Sequence, residues 1–164
     1  MRATSETMPV ADVITVAREL FAEAYEGPAP QGSWFVSPRP DAGLFDTVAR
    51  LSAQRASRPS RANGPSIAAH VEHLRWTLER VNATVAGAPW QPDWSESWSV
   101  SEVDDAAWDE LRSALRREFD QLRAALGGAP DVGDPMLLRG VLALAPHAAY
   151  HLGAIRLLAA QQEA

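Results

Sequence analysis

Residues 140–158 read GVLALAPHAAYHLGAIRLL. The apolar residues do not alternate, and the run is too long for a strand, so it reads as a buried helix. At about 100° per residue, His147 and His151 fall about 40° apart, on the stripe that also carries Gly140, Leu144, Ala154 and Leu158. Both imidazoles therefore point where core side chains point. Pro146 stands directly before the first of them. A proline inside a helix removes a backbone hydrogen bond and kinks the axis. It either opens space beside His147 or starts a new helical segment.

The chain has four histidines, and the other two, His70 and His73, lie three apart. They sit in a second amphipathic segment, Ile67 to about Ala86, whose stripe is Ile67, Val71, Leu74, Leu78, Val81 and Val85. Ser66 suits its N-cap. Periodicity places His70 about 60° and His73 about 120° from the centre of that stripe. Four imidazoles in an apolar interior are costly unless each finds a partner. A hydrogen-bonded histidine cluster is one solution. The other is a divalent metal, which an HxxxH pair can hold with both rings while leaving positions for a third residue and for water.

Two more helices complete the pattern. Val10, Val13, Ile14, Ala17, Leu20, Phe21 and Ala24 predict a helix from about Pro9 to Tyr25. Trp108, Leu111, Leu115, Leu122 and Leu126 form the seam of another, from about Val103 to Leu126. Its charged run RREFDQLR reads as a solvated face. A Pro- and Gly-rich loop, Gly27 to Gly43, wraps the body, and Leu44–Leu51 predicts a short helix. RPSRANGP and GGAPDVGDP are breaks. The expected fold is an all-α four-helix bundle forming a single domain, residues 1–164. The link between the second and third long helices is about sixteen residues and can reach about 50 Å. That exceeds the roughly 30 Å of a twenty-residue helix, so these two helices are free to run parallel.

A net charge of −6 and a pI near 5.2 argue against binding nucleic acid or anionic membranes through a basic surface. The absence of cysteine excludes disulfides, thiolate ligands and a cysteine nucleophile. The first residues, MRATSETMPVADVITV, lack the layout of a signal peptide. Histidines, Pro146 and Arg156 make the last helix a poor membrane span. The expectation is a soluble, cytoplasmic protein.

Two stretches, SIAAHVEHLRWTL and HAAYHLGAIR, resemble the DinB/YfiT-like family of bacterial metal-dependent proteins. The first resembles that family's cap followed by His-Leu, the second its HxxxH helix. The resemblance implies a four-helix bundle with up-down-down-up topology, frequent homodimers, and one divalent metal, nickel or zinc, bound by three histidines. By position these would be His73, His147 and His151. His73 occupies the His-Leu slot, and His70 has no counterpart, so the motif prefers His73 where periodicity prefers His70. His70 would then support a ligand or line the access path.

Relatives in that family include transferases and isomerases that use low-molecular-weight thiols. The resemblance therefore implies a thiol-dependent transferase acting on a small molecule. Two alternatives stand beside it: a metal-stabilised interaction domain without turnover, and a metal-dependent hydrolase. The hydrolase needs a general base, and the helical wheel turns Glu72 and Glu79 to solvent and Tyr150 away from the histidine stripe. Trp34, Trp90, Trp94 and Trp98 fall in predicted loops, where such residues staple a loop to a helical body or line a substrate mouth. Arg156 reads as a salt-bridged or snorkelling arginine, with an anionic substrate as the alternative.

Overall fold

The computed structural model describes residues 9–59, 64–128 and 135–163, and the predicted breaks around 60–63 and 129–134 lie partly outside them. The described residues are helical: α1 Val10–Glu26, α2 Leu44–Ala49, α3 Ala53–Ala56, α4 Ile67–Val85, α5 Asp105–Gly127 and α6 Pro135–Gln161. A 3-10 turn, Glu96–Trp98, interrupts the link before α5. Among the described residues the only β feature is an isolated bridge between Ala29 and Gly32.

Side-chain caps set two of the long helices. Ser66 Oγ accepts from Ala69 N at 3.1 Å and starts α4. Asp104 Oδ1 accepts from Ala107 N at 2.8 Å and starts α5. The four long helices share one apolar core. At its centre Phe119 of α5 packs its ring 5.0 Å from Phe21, 4.9 Å from Tyr25 and 5.3 Å from Phe45. The Arg116 guanidinium lies over Phe45 at 3.4 Å. Trp108 donates its indole N–H to Leu51 O at 2.8 Å, tying α5 to the short helices. The charged run of α5 is thus only partly solvated: Phe119 and Leu122 are buried, and Arg116 and Arg123 both pair with Glu26 of α1.

α4 is buried well beyond its predicted stripe. Ala68, Ala69, His70, Glu72, His73, Trp76 and Thr77 are buried as well, because α5, α6, α3 and the tryptophan-rich link all pack against it. Amphipathic periodicity describes a helix with one wet face, and α4 has almost none.

The loop from Gly27 to Gly43 is closed at its base by glycine. Gly27 has φ +94°, and a Cβ there would meet Pro40 O at 2.8 Å. A Cβ on Gly43 would come within 2.5 Å of the backbone of Tyr25 and Gly27. The two strands of the loop meet backbone to backbone, which only glycine permits. Buried Glu23 organises the interior. Its Oε1 accepts from Ser33 Oγ and from the backbone N–H groups of Trp34, Phe35 and Val36 at 2.8, 2.8, 3.1 and 3.3 Å. Burial alone would raise this carboxyl's pKa, but these donors outweigh it and hold it low. Arg156 of α6 anchors the far side by donating to the carbonyls of Val36 and Ala42. Among the described residues it has no carboxylate partner. It ties the loop to α6.

α6 continues through Pro146 as one helix, so the proline does not start a new segment. By length and composition α6 could cross a membrane. Within the fold Val141, Leu144, Ala148, Leu152, Ile155 and Leu158 are buried in the shared core, which accounts for the apolarity of that side.

Candidate metal centre

α4 and α6 bring all four histidines together. His70, His73 and His151 are buried and His147 is half-buried. His147 Nε2 stands 3.1 Å from His73 Nε2 and 3.2 Å from His151 Nε2. Around a tetrahedral zinc with bonds of about 2.0–2.1 Å, neighbouring nitrogens are about 3.3–3.4 Å apart. The observed edges are within a few tenths of an ångström of that.

Hydrogen bonds at the opposite ring nitrogens set the tautomers. Ser97 Oγ gives its single proton to Trp94 O at 2.8 Å. It therefore accepts at 2.9 Å from His73 Nδ1, which must carry the ring proton. His73 Nε2 is left with a bare lone pair. His151 Nδ1 lies 2.8 Å from His70 Nδ1. With the proton on His151 Nδ1, its Nε2 is also bare, and His70 serves as acceptor. Such support of the second ring nitrogen is what orients metal-binding histidines. Two lone pairs then face His147 Nε2, an arrangement that either a proton on that nitrogen or a bound cation satisfies. The donor set fits a divalent metal. His73, His147 and His151 could hold one, and His70 stands behind His151 rather than among them.

The rings are held neutral. Burial, followed by repulsion from the neighbouring imidazoles, pushes His73 down to about 4 and His151 to about 3, and burial lowers His70 and His147. An unfolded histidine titrates near about 6.5. Below that pH the unfolded chain takes up protons that the folded chain refuses, so folding stability declines as pH falls toward about 4. The expected result for chelator-treated protein is a lower thermal midpoint at pH 5 than at pH 7.5. The drop should be smaller in a His73→Phe/His151→Phe double variant. An equal drop in both would place the sensitivity elsewhere.

The tryptophan link roofs the α4 histidines. Trp98 stacks on His73 with centroids 4.4 Å apart and planes 22° from parallel, and meets His70 edge-on at 5.4 Å. Trp94 lies 6.1 Å from His73 and 5.4 Å from Trp76. Trp98 and Trp94 are thus packed on the histidine centre, although both stay exposed at one face. Trp90 reaches only the edge of Trp94. Trp34 is 84% exposed. Tyr150 is exposed, with its ring perpendicular to His151 at 5.0 Å.

Two residues depart from expectation. Glu72 does not face solvent. It is buried, and both its oxygens are taken by Arg75 at 2.7 and 2.8 Å. Buried under the roof, Ser97 sets the tautomer of His73, and nothing in WSESW marks it for that role.

One cavity, of about 740 Å³, runs along Glu19, Glu23 and Trp34. One of about 430 Å³ lies beside Trp98, between Pro65, Ala69 and Val100. The profile of a family described as the DinB superfamily matches residues 42–155. That span covers both histidine pairs. No curated protein and no solved structure matches the chain.

Proposed function

The chain belongs to the DinB superfamily, and from that premise we propose that it is a metal-dependent transferase whose co-substrate is a low-molecular-weight thiol. The ligands are His73, His147 and His151, and the metal is nickel or zinc. The observation that carries this reading is the convergence of three Nε2 atoms, with the outer nitrogens of His73 and His151 held by Ser97 and His70.

Three neutral ligands leave a bound divalent ion its full charge, which favours a thiolate or polarises a substrate oxygen. The chain's own groups do the rest. Ser97 and His70 fix ring orientation, and Trp98 covers one face of His73. The chain holds no cysteine, so the thiol arrives as a small molecule. Both Glu72 oxygens are engaged by Arg75, which counts against it as the general base a hydrolase needs. Cobalt-substituted protein tests the reading. Adding a small thiol such as bacillithiol should produce a sulfur-to-metal charge-transfer band. A thiol that leaves the spectrum unchanged at saturating concentration contradicts it.

One observation favours a second reading, a metal-stabilised interaction domain. His73 and His151 are buried and Trp98 stacks on His73, so the centre is covered by the fold's own side chains. Cobalt binding without a thiol response would select it.

The wider architecture belongs to the same proposal: one domain, four-helix bundle, up-down-down-up. Ser66 with Ser101 at one end and Asn82 with Glu118 at the other support parallel α4 and α5. Phe21 with Phe119 and Glu26 with Arg116 support α1 antiparallel to α5. His70 with His151 and His73 with His147 support α6 antiparallel to α4. We read the protein as soluble and cytoplasmic, without nucleic-acid or membrane partners. We also read it as a homodimer. Val10 and Val16 on α1 and Leu142 and Leu157 on α6 supply exposed aliphatic surface, while α5 exposes no large hydrophobic residue.

A further inference from the structure

We propose that the cleft between α6's last turns and the α2–α3 region is a second binding site, for a small dianionic ligand bearing phosphate or paired carboxylates. The cleft holds about 320 Å³ and is lined by Arg39, Arg50, Arg55 and Arg156 with Asp41 and Glu163. It has a surplus of two positive charges on a chain whose net charge is −6.

Pairing shows where the surplus sits. Asp41 is engaged by Arg50 at 2.6 Å and Glu163 by Arg55 at 3.0 Å. Among the described residues Arg39 has one ion pair, a 3.9 Å contact with the already engaged Asp41. Among the described residues Arg156 has no carboxylate partner, and its guanidinium is held by the neutral carbonyls of Val36 and Ala42. Arg55 is likewise fixed by Ala159 O at 3.0 Å. Two guanidinium groups are thus set in place by backbone before any ligand arrives, which lowers the ordering cost of binding. Burial and the nearby charges of Arg39 and Arg50 make Arg156 less basic than usual, a repulsion that an anion would relieve. Planar guanidinium forks match phosphate and carboxylate oxygens.

Size restricts the ligand. Small-molecule sites run from about 300 to 1,000 Å³, and this cleft is at the lower end. It suits a small metabolite and not a nucleotide cofactor or a polymer. The site is independent of the histidine centre.

The test is calorimetric titration of the full, metal-loaded chain with inorganic phosphate and separately with succinate, at constant low ionic strength. Saturable binding of at least one anion is expected, and which one binds identifies the headgroup. Arg39→Ala should weaken that binding about tenfold, as expected for loss of a charge-assisted contact. Its side chain is 73% exposed, so the variant should fold and keep its metal. Glu163→Gln removes a negative charge from the rim and should tighten binding. Absence of saturable binding by both anions overturns the proposal. So does an affinity unchanged in Arg39→Ala, which would mark an adventitious ion only.

Discussion

Replacing His147 with alanine should abolish stoichiometric binding of a divalent metal, and replacing His73 or His151 should do the same. Loss of one ring from a three-histidine site leaves two neutral ligands, too few to compete with water for zinc or nickel. His147 is the sharpest probe, because its Nε2 makes both short approaches, to His73 and to His151. It is also the least buried of the three, so its removal disturbs the core least. His70→Ala should behave differently. His70 lies behind His151, with its Nδ1 2.8 Å from His151 Nδ1. Removing such an outer partner typically lowers metal affinity about 10- to 100-fold without removing a ligand. The variant should still reach one equivalent at excess metal. Elemental analysis after dialysis, with a competition titration for affinity, measures both effects. Full binding in His147→Ala, or none at all in His70→Ala, would overturn the assignment.

Phe119→Ala should cost about 3–5 kcal/mol of folding stability, the usual range for truncating a buried aromatic residue. Phe119 is fully buried and touches Phe21, Tyr25 and Phe45, which come from two other helices. No single neighbour can move to fill the space it leaves. For a chain of this size about 1 kcal/mol corresponds to about 2–4 °C in thermal midpoint, so the expected drop is roughly 6–20 °C. The metal centre lies on α4 and α6, away from this cluster, so metal stoichiometry at low temperature should be unchanged. Thermal denaturation at fixed metal concentration checks the first point and elemental analysis the second. A drop under about 1 kcal/mol would mean the aromatic cluster does not hold α1, α2 and α5 together.

Helix periodicity located α1, α4, α5 and α6 to within a few residues, because each buries a recurrent apolar stripe against the others. It could not locate α3, a four-residue helix too short to show a period. On α4 it misled. Wheel angles favoured His70 over His73 and turned Glu72 to solvent, yet all three are buried because partners cover α4 on almost every side. The motif preferred His73; in the fold His73 Nε2 lies 3.1 Å from His147 Nε2, and His70 Nδ1 lies 2.8 Å from His151 Nδ1. Pro146 could be read two ways from sequence, and the continuous α6 excludes a fresh helical start.

Other features were beyond sequence for a physical reason: they depend on contacts distant along the chain. Ser97 meets His73 across 24 residues. Glu23 gathers the N–H groups of a loop ten or more residues away. Arg156 meets Val36 across 120 residues. Each residue type has many ordinary uses, and only the fold selects one. The loop tryptophans follow the same pattern, since Trp98 packs on the centre and Trp34 does not.

Metal-edge X-ray absorption on the protein loaded with one equivalent of zinc or nickel tests the central claim most directly. Three imidazole nitrogens at about 2.0–2.1 Å, completed by oxygen, are the predicted shell. Two or fewer imidazoles would contradict the three-histidine centre, and four would move His70 from its supporting place into the coordination sphere.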